Sequence, residues 1–294
     1  MEKKNIRIEK ILACPHCKKL LSGTGNGLMC PDCKATYPYL SAVPFFLERT
    51  LANRYEKEVS SPVNRLKTFL KKNPALFQFL HYAIGSVSYF GLSASQAIAL
   101  AFGHDLEKKV IVNIGSGIKR IRPEIINVDI FPFANVDVVA DAVALPFANE
   151  SVDMIISEST IEHVPESEKA IQEMIRVVKP GGYLYVSIPF LMGFHASPND
   201  YLRLTHAGLM QKFREFKPLK IGMIGGPAST LVTFLMYFLA LPFSIISEAA
   251  YNFATYVFLV LLSPLRVFDL LFNMFPKAIE IATVIYLFAR KQSK

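Results

Sequence analysis

The sequence predicts an α/β fold. Its core is a doubly wound, mostly parallel sheet, with a small cysteine-rich module before it and an apolar helical insertion before its last strand. Three observations carry this. The run Val110-Ile111-Val112-Asn113-Ile114 leads directly into Gly115-Ser116-Gly117, the pattern of a buried parallel strand ending in a tight turn. Further short apolar runs follow at 127–130, 136–139, 151–157 and 183–188, and residues 166–178 between the last two show helical spacing. Two Cys-x-x-Cys pairs, Cys14/Cys17 and Cys30/Cys33, stand apart near the start.

At 294 residues the chain suits one mid-sized domain with appendages. Its hydrophobic share of 52% exceeds the usual soluble range of roughly 45–50%, so extra apolar surface must be placed somewhere. The net charge of +8 is uneven: residues 1–72 hold 14 Lys/Arg against 6 Asp/Glu, and residues 73–294 hold 18 of each. That basic stretch could meet anionic lipid, a phosphorylated substrate or nucleic acid, or be solvated surface. Residues 1–10 are charged and no apolar run follows them, so no signal peptide is expected.

All four cysteines fall within residues 14–33, so they form a local device and not a disulfide framework. Each pair presents two thiolates on one tight turn, and two facing turns complete a tetrahedral S4 shell suited to a structural Zn²⁺. Thiol redox chemistry and another metal are the alternatives. Residues 48–72 read as a charged helical connector. Residues 73–103 carry no Lys, Arg, Asp or Glu and read as two short helices capping a pocket, with His81 and His104 as ordinary histidines.

In the core, nine residues separate Gly117 from Asn127, too few for a full crossover helix. Asp129 ends the second strand, where a carboxylate can accept both hydroxyls of a ribose; its plainer reading is a strand-end turn former. Asp137 reads as structural. The loop after the strand at 183–188 is chemically dense, with His195, Asp200, Tyr201, Arg203 and Thr205. His195 could take a proton from a hydroxyl, and Arg203 could hold a phosphate or carboxylate. Alternatively, Asp200 and Arg203 pair to brace the loop. Thr205 reads as a helix N-cap.

The tail holds the excess hydrophobicity. Stretches 217–222 and 281–290 read as an antiparallel closing pair of strands, and between them residues 226–265 carry one charge, Glu248. Segments 228–247 and 249–265 are each near the ~20 residues of a bilayer crossing. Both flanking strands belong to one sheet, so only an even number of crossings is allowed. Pro242 and Glu248 favour a shallow hairpin or an interfacial pair, with Lys217, Lys220 and Arg266 on the near side. Helices packed on the sheet are the alternative.

Asn113-Ile114-Gly115-Ser116-Gly117, Asp129, Asp141-Ala142-Val143-Ala144-Leu145-Pro146-Phe147, Glu162-His163-Val164 and Lys179-Pro180-Gly181-Gly182 together resemble the class I S-adenosylmethionine (SAM)-dependent methyltransferases, in the type 11 branch. The cysteine pairs, followed by Tyr37-Pro38-Tyr39 and Val43-Pro44-Phe45-Phe46, resemble the Trm112-like zinc ribbon. The first resemblance implies a Rossmann-like sheet and SAM as cofactor. It implies a cofactor site of Asn113, Gly115, Ser116, Gly117, Asp129, Ile130, Asp141, Ala142, Ser157 and Glu158, with Leu145, Pro146 and Phe147 walling the purine. The sequence departs from the family at Asn113, Ser116 and Lys119, where an acidic residue, a frequent cysteine and a third glycine are usual. His195, Tyr201 and Arg203 become candidate catalytic groups and His163 a site-proximal one, unless Glu162 and His163 only cap the next helix.

The expected domains are a ribbon at 1–47, a helical connector and cap at 48–107, and a methyltransferase core at 108–225. An apolar insertion at 226–276 in contact with a membrane and a final strand and tail at 277–294 complete the chain. The expected activity is methyl transfer from SAM to a lipid-linked, glycan or other hydrophobic acceptor, on the cytoplasmic face of a membrane. A non-catalytic scaffold of the same fold and an RNA methyltransferase are the other readings. The Asn/Asp-Pro-Pro-Tyr motif of many base- and amide-directed enzymes is absent from 157–159, which disfavours nucleic acid.

Overall fold

The computed structural model describes residues 8–47, 90–195 and 199–293. The connector at 48–72, the first part of the expected cap and His81 lie outside the described residues. The ribbon contributes four short strands, β1 (Ser22–Thr24), β2 (Gly27–Met29), β3 (Thr36–Leu40) and β4 (Val43–Pro44), paired antiparallel in that order. There follow helix α1 (Ala94–Phe102) and strands β5 (Ile111–Ile114), β6 (Ile126–Asp129), β7 (Val138–Val139) and β8 (Val152–Glu158). Helix α2 (Ser167–Val177), strand β9 (Val178–Pro189), helix α3 (His206–Lys212) and strand β10 (Phe216–Gly225) come next. Helices α4 (Pro227–Ala240) and α5 (Glu248–Leu262) precede the last strand, β11 (Val284–Lys291).

The main sheet has seven strands in the order β10-β11-β9-β8-β5-β6-β7. Strands β9, β8, β5, β6 and β7 pair in parallel, and β11 runs antiparallel to both β9 and β10. This is the Rossmann-like architecture expected, with the closing antiparallel pair in place. Period-2 alternation divides the central strands between two cores. Val112 and Ile155 pack with Ile171 and Met174 of α2 on one face, while Ile111, Met154 and Ile156 pack with Ala97 and Ile98 of α1 on the other.

Two expectations are corrected here. Helix α1 begins at a capping box, with Ser93 N–H donating to Gln96 Oε1 at 2.8 Å and Gln96 N–H returning to Ser93 Oγ at 3.3 Å. Its apolar face lies against the sheet, so it is a layer of the fold and not a pocket cap. Leu145, Pro146 and Phe147 are all buried. They meet the ribbon, through a bridge between Leu12 and Phe147 and an Ala13 N–H to Pro146 oxygen bond of 3.0 Å, and do not wall the pocket.

The ribbon is thereby continuous with the core. Phe46 N–H donates to Val139 oxygen at 2.9 Å, and Lys18 pairs with Glu173 of α2 at 3.0 Å. The β5–β6 connection has no helix, as its length requires; side chains brace it instead. Arg120 reaches Asn135 oxygen, Ile125 oxygen and the Asp137 carboxylate, and Asn127 Nδ2 holds Lys119 oxygen at 3.0 Å. Asp137 is thus structural.

The insertion between β10 and β11 forms a helical hairpin. Helix α4 buries Ala228, Val232, Thr233, Met236 and Ala240, whereas α5 buries Ala254 alone. The hairpin is fastened at its base by Asp269, whose carboxylate accepts Ala228 N–H at 2.7 Å, Ser229 N–H at 3.1 Å and Ser229 Oγ–H at 2.6 Å. Such a cap contributes about 0.5–2 kcal/mol at a helix start, where the dipole also favours an anion. Ile245, Ile246, Phe253, Phe238 and Met274 remain 70–89% exposed. The buried side of α4 meets α5 and the short helical turns at 241–245, 263–272 and 278–281, and among the described residues nothing covers the rest of the hairpin. Arg266 is corrected as a near-side surface cation: it is 5% exposed, with Nε donating to Ser263 oxygen. Lys217 and Lys220 are exposed on β10.

Candidate cofactor pocket and cysteine cluster

A cleft of about 880 Å³ opens at the carboxyl ends of β5, β6 and β8, the edge where open parallel sheets bind ligands. Gly115 and Gly117 have φ of +67° and +55°, a region that L side chains enter at a cost of about 1–2 kcal/mol. A Cβ on Gly115 would overlap the Thr160 side chain, while one on Gly117 would meet nothing within 4 Å. The first glycine is needed for packing, and the second leaves open space for a ligand.

Asp129 organises this turn. Its Oδ2 accepts Gly117 N–H at 2.7 Å and its Oδ1 accepts Phe131 N–H at 2.9 Å. Burial raises its pKa, and those amides partly offset the effect. Each oxygen still has a lone pair, so the carboxylate can shape the glycine loop and face a diol together. Asp141 accepts Val143 N–H at 3.1 Å at the start of a short 3-10 turn, Ala142–Ala144.

Asn113, Gly115, Ser116, Gly117, Asp129, Ile130, Asp141, Ala142 and Glu158 all line the cleft. Ser157 does not: it is fully buried, and its hydroxyl has no partner among the described residues. The departures from the family pattern are also on the wall. Asn113 is buried, with Nδ2 at 3.5 Å from Asn127 Oδ1, and Lys119 lies near Glu158. Glu158 is open to the cleft yet deeply recessed; desolvation raises its pKa, against the pull of the Lys119 charge. Thr160 and Asn199 also line the cleft and were not singled out. Their only sequence signal was proximity to the Glu-His-Val stretch and to the dense loop.

Of the candidate catalytic groups, Tyr201 and His163 line the cleft. His195 sits beside His163, with ring centroids 4.9 Å apart, but is not itself on the wall. Asp200 accepts from His195 N–H at 3.0 Å, and its Oδ2 lies 3.4 Å from His195 Nδ1. Burial lowers the imidazole's pKa while Asp200 pulls the other way. Arg203 grips Asp200 with both terminal nitrogens and reaches Gly193 oxygen at 3.3 Å. Although burial opposes it, Arg203 holds the Asp200 carboxyl down at about 2. Arg203 as an anion holder is therefore corrected: its guanidinium is committed to Asp200 and is off the pocket wall, so it braces the loop. Thr205 caps α3, accepting Gly208 N–H at 3.0 Å.

Glu162 does not cap α2, whose first turn starts at Glu166 without a side-chain cap. It is 0% exposed, both its carboxyl oxygens lack hydrogen-bond partners among the described residues, and burial pushes its pKa up to about 8.

The four cysteines converge, with Sγ atoms all within 4.8 Å of one another. Cys17–Cys30, Cys14–Cys33 and Cys17–Cys33 are separated by 3.3, 3.5 and 3.8 Å. A tetrahedron of Zn–S bonds of ~2.3 Å has edges of roughly 3.8 Å, so the donor set fits such an ion. Tyr37 Oη lies 3.2 Å from Cys14 Sγ and can donate to it, an outer-shell partner of the kind metal sites use.

Residues 81–186 match the family described as a methyltransferase domain. An uncharacterized methyltransferase of Mycobacterium leprae (strain TN) is 42% identical over 62 residues, covering 21% of this chain and 23% of that protein. One from Mycobacterium tuberculosis is 45% identical over 54 residues, covering 18% and 21%. This chain therefore spans less than a quarter of the length of these relatives. Phosphoethanolamine N-methyltransferase 2 of Haemonchus contortus, solved with S-adenosylmethionine, is 15% identical with a TM-score of 0.42, covering 85% of this chain and 62% of that one.

Proposed function

We propose that this protein is a SAM-dependent methyltransferase that works at a membrane surface on a lipid-linked, glycan or other hydrophobic acceptor. The observation that carries the reading is Asp129, which pins the Gly117 amide and faces a cleft of about 880 Å³ at the sheet's carboxyl edge. Gly115 to Gly117 would take the methionyl part of SAM, Asp129 the ribose hydroxyls, and Asp141 with Ala142 the adenine. When bound, SAM supplies an electrophilic methyl group on a sulfonium. The chain's own contribution is alignment of methyl donor and acceptor in the cleft. His195 is the candidate base for an acceptor hydroxyl: Asp200 holds its Nδ1 side, which leaves Nε2 to take a proton. Calorimetric titration of SAM into the full chain is expected to show one saturable site; a flat titration of folded protein would remove this reading.

The hydrophobic acceptor is supported by the neighbourhood of the dense loop. Gly193 lies so close to the Tyr237 ring of α4 that a Cβ there would overlap it, and Phe194 next to it is 68% exposed. Two helical stretches, Pro227–Ile245 and Glu248–Phe272, have mean hydropathies of 1.8 and 1.7, with 33% and 17% of their apolar windows buried. We place the hairpin shallowly in the cytoplasmic face of a bilayer, with Lys217 and Lys220 toward headgroups. In vesicle flotation the full chain is expected to rise with anionic liposomes, and Ile245→Glu with Phe253→Glu to stay at the bottom. Equal flotation of parent and variant would disprove insertion through this hairpin. For the cysteine cluster we propose structural Zn²⁺, since four thiolates leave no open coordination position.

A further inference from the structure

Glu162, His163 and His195 each offer one ligand atom, and these atoms lie within 4.8 Å of one another. Their neighbours prepare them as donors. His163 Nδ1 is 2.6 Å from Asn199 carbonyl oxygen, which can only accept, so the neutral ring carries its proton on Nδ1 and a lone pair on Nε2. His195 Nδ1 faces the Asp200 carboxylate at 3.4 Å, which selects the same tautomer. A histidine fixed by a carbonyl or carboxylate on its far nitrogen is the arrangement that metal-ligating imidazoles use. Glu162 beside them is fully buried, its carboxyl oxygens have no hydrogen-bond partner among the described residues, and Oε1 stands 3.9 Å from His163 Nε2. A buried carboxyl group without partners is held in its neutral form unless a cation offsets its charge. Arg203 is engaged by Asp200, and no side chain among the described residues hydrogen-bonds to Glu162.

We propose that Glu162, His163 and His195 form a second metal site, distinct from the cysteine cluster, that takes a divalent transition ion at the acceptor end of the cofactor cleft. Two imidazoles and one carboxylate suit Mn²⁺, Fe²⁺, Co²⁺ or Zn²⁺ over Mg²⁺ or Ca²⁺. Three protein ligands leave coordination positions open, unlike the closed thiolate shell. His163 is shared between the cluster and the pocket wall, so an oxygen of the acceptor is the natural further ligand. This deepens the methyltransferase reading, and His195 then serves as a ligand in place of a base. Metal bonds of about 2.0–2.2 Å require the three donors to draw somewhat closer than they stand. That closure falls to the His195 side chain, since the backbone beyond it is held to the 162–163 turn by Tyr201 N–H to Glu162 oxygen at 2.7 Å and by Asn199 oxygen against His163 Nδ1 at 2.6 Å.

Mn²⁺ distinguishes the two sites, since it prefers oxygen and nitrogen donors to a thiolate shell. Full chain brought to a single equivalent of Zn²⁺, freed of excess zinc and checked by metal analysis, then titrated with Mn²⁺ and followed by electron paramagnetic resonance, is expected to remove one equivalent of the free-ion signal. Glu162→Gln and His195→Ala are each expected to weaken that binding at least tenfold, and Asp200→Asn, acting through His195, by about 10- to 100-fold. Melting curves identify any variant that fails to fold, and half-exposed His195 keeps the test alive if Glu162→Gln does not. An undiminished free-ion signal in the parent overturns the site, as does equal Mn²⁺ binding by parent and folded variants. SAM titration of the same samples separates the two readings: Mn²⁺ silence with SAM bound removes the metal site alone.

Discussion

Asp129→Ala is expected to weaken SAM binding by about 100-fold or more. The carboxylate is the acceptor for Gly117 N–H at 2.7 Å and Phe131 N–H at 2.9 Å, and in the proposed SAM complex it also takes the ribose hydroxyls. Charge-assisted bonds contribute roughly 1.5–3 kcal/mol each, and about 2.8 kcal/mol is a hundredfold in affinity. Two losses therefore combine: the glycine turn relaxes and the diol loses its acceptor. Asp129→Asn keeps one oxygen acceptor and is expected to fall between parent and alanine variant. Calorimetry of the three proteins, each checked for folding by its melting curve, decides the matter. Equal affinities would mean that Asp129 is only a strand-end turn former.

Loss of the metal from the cysteine cluster is expected to have the largest effect on stability. Structural Zn²⁺ binds with apparent free energies of about 10–16 kcal/mol in small zinc modules, and that energy is largely folding energy. The ribbon's own core is thin, with Leu12, Leu28 and Tyr37 as its main buried apolar side chains beside the thiols. It is nevertheless welded to the core through Leu12–Phe147 and Phe45–Val139. Cys14→Ser should therefore remove one equivalent of zinc, open residues 8–47 to proteolysis and lower the melting temperature by about 10 °C or more. A parent chain that contains no zinc, or a variant that melts with the parent, would leave the cluster as thiols alone.

Much of the site could be read from sequence because its signals are short-range. Gly115 and Gly117 follow a β-branched run within eight residues, and each cysteine pair occupies a single turn. Asp129 stands at the end of the next strand. In each case backbone conformation or ligand spacing is set by neighbours along the chain. Ser157 was misplaced by strand parity: along β8, alternate side chains face opposite sides, and position 157 points into the protein while Glu158 reaches the cleft. The Leu145-Pro146-Phe147 stretch reads as a pocket wall only while the ribbon is considered separately. Once the ribbon docks on it, its burial has another cause.

The sequence by itself determined the parallel sheet with its closing antiparallel pair, the thiol cluster, the glycine turn with its acidic partner, and an apolar segment too large for the core. All of these are written in local period, spacing and composition. Only the tertiary structure decided which long-range partners meet. It committed Arg203 to Asp200, put α1 beneath the sheet, set Asp269 on the start of α4 across some 40 residues of chain, and left Glu162 buried beside two histidines with no hydrogen-bond partner among the described residues. Those outcomes depend on where loops return after the sheet is built. No local pattern encodes that, because the energy deciding it is the burial and pairing of groups far apart in sequence.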